Sequence, residues 1–178
     1  RLGNITNRYS DGVFQMNADE NAFAKRIKSF IEIGAFPKYM LKHSIELTPV
    51  DLAAEAIVKV ANYTSHCNVL HIYDNNLLPI KLFIETLSEL GINLLPVPEK
   101  MMTDIITGIL ADNNRKDILS GIIYDLNENK QLVYTSRIRL NSNFTEGFLE
   151  RIRFNWKSID KDYIIRYINY LRKIKFIK

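Results

Sequence analysis

With 178 residues, 47% of them hydrophobic, and a single cysteine, the chain is long enough for one compact core and excludes an internal disulfide framework. No apolar run approaches the roughly 20 residues of a membrane span and no signal-peptide order is present, so a cytoplasmic chain with no membrane partner is expected. The formal net charge of +4 is mild, although "YLRKIKFIK" gathers Arg172, Lys173, Lys175 and Lys178 with no acid among them. Such cations either complement the carboxyl end of a helix dipole or attract an acidic partner, and nucleic acid is not the expected one.

In chain order, short strands alternate with amphipathic helices, the pattern of an α/β protein. Residues 1–6 read as the exit of a buried strand. In "NADENAFAKRIKSFIEIG", Asn17 and Glu20 have capping-box spacing and Gly34 offers a left-handed stop, which predicts a helix from Asp19 to Ile33 burying Phe23, Ile27, Phe30 and Ile31. "HSIELTPVDLAAEAIVKVANY" reads as a short strand running into a helix from Pro49 to Asn62. Thr48 is its cap, Asp51 completes the box, and Leu52, Ala53, Ala56, Ile57 and Val60 face inward.

The continuous apolar run "CNVLHIYD" predicts a buried central parallel strand from Cys67 to Tyr73, with Cys67 an inert buried thiol. The preceding helices are expected to pack around that strand or on a smaller substrate-binding lobe. Asn75 and Asn76 turn the chain into a helix with Pro79 near its start and Gly91 past its end, and "INLLPVP" follows as a strand. Helices are predicted from Glu99 to Leu110 and from Arg115 to Leu126. "KQLVYTSRI" reads as extended, and helices follow after Thr145 and from Lys161 to Lys173, the last with Tyr163, Tyr167, Leu171 and Ile174 on its apolar stripe.

Self-contained chemistry is sparse. No two glycines lie close enough to cradle a diphosphate, so there is neither a dinucleotide fingerprint nor a phosphate loop. His43, His66 and His71 lack metal-ligand spacing and no Cys-x-x-Cys occurs, so no metal site is expected. His71 reads as a satisfied core residue, and Asp160 and Asp162 read as helix-start acids.

"RLGNITNRYSDGVFQMN", "IGAFP", "IELTPVDLAAEAIVKVA", "LHIYDNN", "TEGFLERIRFNW" and "IDKDYIIRYINYLRK" stand in an order and spacing that resembles the carboxyl-terminal part of thioester reductase domains. These belong to the extended short-chain dehydrogenase/reductase superfamily and terminate nonribosomal peptide synthetases, some polyketide assembly lines and carboxylic acid reductases. The resemblance covers essentially the whole chain. It implies the C-terminal part of an extended Rossmann-type reductase, with mixed helices and short strands forming the substrate-binding lobe.

The implied activity is reduction of an acyl or peptidyl thioester, carried on the phosphopantetheine arm of a carrier protein, to an aldehyde or alcohol by NADPH. In that family the dinucleotide loop and the catalytic Tyr-x-x-x-Lys pair lie upstream of a segment like residues 1–7. No tyrosine here is followed four positions later by lysine. The resemblance therefore implies that residues 1–178 are one C-terminal segment whose partners are the N-terminal half of the same reductase and an acyl or peptidyl carrier protein. No catalytic residue is assigned within it, and by itself it is expected to be inactive.

Carried over as cofactor contacts are Gly3, Asn4 and Ile5, with the missing Gly3 side chain permitting close approach; beside that stands the reading of a tight strand-to-loop turn capped by Asn4. The substrate channel is expected to use Phe14, Gln15, Asn17, Phe36, Tyr39 and Met40, a mixture of apolar wall and polar points. Pro49 and Asp51, which look like family markers, are assigned to capping. Other readings are a fatty acyl-CoA reductase or nucleotide-sugar epimerase of the same superfamily, and a non-catalytic carrier-protein docking module.

Overall fold

The computed structural model describes residues 2–63, 69–133 and 141–178. Strand β1 (Ile5–Thr6) leads through an irregular loop to helix α1 (Ala22–Ile33). The cap of α1 is Asn21, whose side chain accepts the Ala24 N–H at 2.9 Å, rather than Asn17. Asn21 has the extended backbone a cap requires, whereas Asn17 does not, so Asn17 and Glu20 bond to each other in a separate 3-10 turn, Ala18–Glu20. Gly34 closes α1 at φ 72° and returns its N–H to Phe30 O at 2.9 Å, as expected.

Strand β2 (Ala35–Pro37), the 3-10 turn Lys38–Lys42, β3 (Ser44–Ile45) and β4 (Thr48–Pro49) follow, and β4 runs straight into α2 (Val50–Ala61). Pro49 takes the cap position, and the side chains of Thr48 and Asp51 are turned to other partners. Leu52, Ala53 and Ala56 are buried, but Ile57 is 43% exposed, against expectation. Among the described residues α2 is covered on one side only, and Ile57 borders that side.

Then come β5 (Leu78–Pro79), α3 (Ile80–Glu89), β6 (Leu95–Val97), α4 (Glu99–Ala111), α5 (Asn143–Arg151) and α6 (Lys161–Lys173). The last has the predicted bounds, and Asp160 caps it by accepting the Tyr163 N–H at 2.8 Å. Between α4 and α5 the predicted helix at 115–126 is replaced by two 3-10 turns, Lys116–Leu119 and Ile123–Asp125. Gly121 lies between them against the backbone of α1 at Lys25 and Arg26, and its N–H donates to Ser29 Oγ at 3.0 Å. That close approach fixes the chain in a bend that a continuous helix could not make.

Three strand pairs are formed among the described residues: β1 with β4 and β2 with β6, both parallel, and β3 with β5, antiparallel. Of the predicted strand at 67–73, Cys67 and Asn68 lie outside the described residues. The rest is a correction: residues 69–73 form no continuous buried strand among the described residues, where Ile72 makes a parallel bridge to Leu2 and Val69 is 66% exposed. Ile72 packs on one side against α2 and α5, with no second covering layer among the described residues. In "KQLVYTSRI", Leu132 bridges Leu126, and residues 134–138 lie outside the described residues.

Apolar contacts gather in three places. α1, α3 and α6 share the largest core, where Tyr163, Ile164, Tyr167, Ile168 and Leu171 are wholly buried; Ile174 is only half-buried. A second core joins the end of α1, β2 and α4 to Leu119 and Ile122, and a third holds α2, α5 and Ile72. Thus α1 packs with α3, α6, β2 and α4 and not around Ile72, whereas α2 packs against Ile72.

Candidate functional site: a clamped turn beside an apolar cavity

The first parallel pair sets the site. Pairing Ile5 with Thr48 brings the turn before β1 against the segment before β4. The Gly3 N–H donates to Ile72 O at 3.2 Å, and the Asn4 carbonyl accepts the Thr48 N–H at 2.9 Å. The Asn4 N–H donates to Glu46 Oε2 at 2.6 Å, and Asn4 Nδ2 donates to the Glu46 carbonyl at 3.1 Å. A Cβ on Gly3 would overlap the Glu46 carboxylate, so the absent side chain makes room for that group.

Thr48 extends this network. Its hydroxyl donates to Glu46 Oε1 and accepts the N–H of Asp74 at 3.2 Å. Asp74 is fully buried; its Oδ1 accepts the Asn76 N–H at 2.8 Å and the Asn76 side-chain amide at 2.9 Å, and its Oδ2 has no partner among the described residues. Burial pushes the Asp74 carboxyl up to about 6; the Asn76 hydrogen bonds oppose this, and the nearby Glu46 charge adds to it. Burial also raises Glu46, against the hydrogen bonds from Asn4 and Thr48.

Asn4 and Glu46 form part of the wall of a cavity of about 300 Å³. The rest is mostly apolar, from Phe23, Ile27 and Phe30 of α1, Phe36 and Met40, and Phe83 and Leu87 of α3. Arg26 lies at its edge, its guanidinium held by Asp125 at 2.6 and 3.0 Å. Such a space suits an apolar group with polar points at one side.

The expected site residues divide. Asn4, Phe36 and Met40 line the cavity, and Gly3 stands behind Asn4 against Glu46. Ile5 packs instead with the Ile72 core. Phe14 is buried edge-on against Tyr167 at 5.3 Å between ring centres, away from the cavity lining. Gln15 donates to the Asn17 carbonyl, exposed Asn17 to Glu20, and the Tyr39 hydroxyl to Leu132 O at 2.7 Å.

The "RYSDG" and "TPVD" stretches bind each other. Asp51 accepts the N–H groups of Tyr9 at 2.7 Å, Ser10 at 3.1 Å and Leu52 at 3.1 Å. Burial alone would raise the Asp51 carboxyl, but these donors together hold it below its ordinary value. From α6, Arg166 donates to the Tyr9 carbonyl at 3.2 Å, and the Tyr163 hydroxyl donates to the Asn7 carbonyl at 2.8 Å while lying 2.6 Å from Thr6 Oγ1. Burial raises the Tyr163 phenol above its ordinary range, which keeps it a neutral donor.

Compared with solved structures, the whole chain superposes on a thiolation-reductase di-domain from an archaeal non-ribosomal peptide synthetase, with a TM-score of 0.79 and 26% identity. This is part of the fold of a reductase domain. The terminal reductase domain of the myxalamid PKS-NRPS pathway matches over 100% of the chain (TM-score 0.80, 19% identity), and the aureusimine cluster reductase domain over 98% (0.74, 18%). The expectation of a mixed α/β part of an extended Rossmann-type reductase holds, and the motif resemblance and the three-dimensional likeness agree. The chain spans 36% of the first of these structures and 44% of each of the others. No protein-family model and no curated protein matches the sequence.

Within this reductase-domain fold, sequence reasoning missed Glu46 and Asp74. The signal for Glu46 was a lone acid between Ile45 and Leu47; Asp74 was hidden in "DNN", which reads as a polar turn. His71 was expected to be satisfied, yet its Nδ1 is buried without a partner among the described residues. None of the described residues form a cluster fit to hold a metal ion, and no helix among them is long and apolar enough to cross a membrane.

Proposed function

We propose that this chain is the substrate-binding portion of an NADPH-dependent thioester reductase that releases a carrier-protein-bound acyl or peptidyl thioester as an aldehyde or alcohol. The observation that carries this reading is the likeness, over the whole chain, to the archaeal thiolation-reductase di-domain. The apolar cavity beside the Gly3–Asn4 turn suits the acyl end of such a substrate. NADPH supplies the hydride when bound. The donors of Gly3 and Asn4 and the Asn4 carbonyl are already engaged within the chain, so this turn fits a nicotinamide as a preformed wall rather than as a set of free hydrogen-bonding groups.

The diphosphate cradle and proton donor belong, on this reading, to an N-terminal half joined to residues 1–178. The bridge of Leu2 to Ile72 and the exposure of Leu2, Ile57 and Val58 support a sheet and a helix face continued by that half. The chain alone is expected to show no NADPH oxidation above background with an acyl-pantetheine thioester, because it has neither a glycine-rich loop nor a Tyr-x-x-x-Lys pair. Joined to the preceding half, it is expected to consume NADPH and yield aldehyde or alcohol. Turnover by the isolated chain, or none by the joined enzyme, would overturn the reading.

The basic tail is the proposed contact for a carrier protein. Arg172 is not free for it, since it donates to Leu90 O at 2.8 Å and to Lys178 O at 3.3 Å, tying the end of α6 to the end of α3. Lys173, Lys175 and Lys178 remain exposed. Reversing these three charges in the joined enzyme is expected to slow association with an acyl-carrier substrate about tenfold at low salt, with little effect on a free pantetheine thioester. Equal losses with both substrates would leave the lysines only a dipole-complementing role.

A further inference from the structure

We propose that Glu46 is a positioning residue that clamps the Gly3–Asn4 turn into the wall along which a bound nicotinamide meets the acyl cavity, an inference that rests on the reductase reading above. Four contacts converge on it. Its carboxylate accepts the Asn4 N–H and the Thr48 hydroxyl, its own carbonyl accepts Asn4 Nδ2, and its carboxyl group fills the space where Gly3 would carry a side chain. Thr48 is held in turn by the N–H of wholly buried Asp74, so the clamp is anchored in the interior rather than in solvent.

A short charge-assisted bond to a backbone N–H fixes a turn more tightly than a neutral one. The arrangement serves more than local structure because Glu46 and Asn4 also line the cavity, so the same carboxylate orders both the turn and the polar side of the apolar space. The alternative is that the carboxylate stands in for a ligand oxygen on the Asn4 N–H and must leave when cofactor binds. The extra anchoring by Thr48, Asp74 and the missing Gly3 side chain favours a clamp over a displaceable plug.

The test has two arms. In the ¹⁵N-labelled 178-residue chain, the Asn4 amide resonance should lie far downfield, return toward an ordinary position in Glu46→Ala and be largely recovered in Glu46→Gln. Since Asn4 is exposed, water can satisfy its N–H in the alanine variant and the thermal midpoint should move little. In the joined enzyme, Glu46→Ala should raise KM for NADPH about tenfold with kcat within about twofold, and Glu46→Gln should restore most of the loss.

An unchanged KM in Glu46→Ala overturns the positioning role, and tighter NADPH binding in that variant overturns it in favour of a displaceable plug. If the wild-type joined enzyme reduces no thioester while the Asn4 resonance reports the clamp, the reductase reading fails and takes the role at the cofactor with it. If the wild type turns over and Glu46→Ala matches it, the proposal falls alone.

Discussion

Gly121→Ala is expected to cost at least about 3 kcal/mol of stability, more than a methyl group placed at any exposed position of the chain. The added carbon would fall on the Lys25 carbonyl and close to the Arg26 nitrogen, both main-chain atoms inside α1 that cannot rotate away. Either α1 or the loop must shift, and a shift also lengthens the bond from the Gly121 N–H to Ser29 Oγ, worth about 1 kcal/mol. For a chain of this size the thermal midpoint should fall by roughly 6–12 °C. Gly108→Ala is the control. Gly108 sits inside α4 with open space around the position of its missing side chain, so that change should stabilise by roughly 0.5–1 kcal/mol. Denaturant titration of both variants decides it, and a Gly121→Ala protein within about 1 kcal/mol of wild type would show that the close approach is not rigid.

The second large effect is a pH dependence of opposite sign at two aspartates. Asp74 titrates at about 6 in the folded chain against an ordinary 3.8, so folding favours its neutral form. Its contribution is fully present below the ordinary value and is lost as pH rises through about 6. Asp51 has a depressed folded value, so its contribution is present above the ordinary carboxylate range and is lost as pH falls through that depressed value. Asp74→Asn is therefore expected to flatten the decline between about pH 4 and pH 6 and to raise stability at neutral pH by roughly 1–3 kcal/mol. Asp51→Asn should lower it there, with the difference closing in acid. Thermal unfolding from about pH 3 to pH 8 measures both, and parallel curves for wild type and Asp74→Asn would contradict the buried-acid assignment.

Much of the fold was legible where periodicity was long. The bounds of α6 follow from Asp160 and a stripe of Tyr163, Tyr167 and Leu171, because a helix that buries one face prints its period in the sequence. The bend at Gly121 was not legible, since it depends on a backbone in α1 nearly a hundred positions away. The strand expected at 67–73 failed in its described part for a related reason: an apolar run reports that a segment is apolar, and only the neighbours decide whether both its faces are covered.

The site was legible in part. Phe36 and Met40 followed from the apolar exit of α1, and Asn4 from the family motif. Asp51 looked like a capping residue by its spacing, but it spends its oxygens on the loop at Tyr9 and Ser10 as well as on Leu52. Spacing along a helix shows which N–H groups lie near; it cannot show a loop that arrives from a distant stretch.

The bond between Thr6 and Tyr163 joins positions 157 apart, nearly the length of the chain. Loops of that size close late, after local helices have formed, because their entropy must be met before the contact rewards it. During synthesis, Thr6 and Asn7 therefore leave the ribosome long before Tyr163, the residue in the first turn of α6 whose hydroxyl they meet. Formation of α6, rather than of β1, is the event that ties the loop after β1 into the largest core.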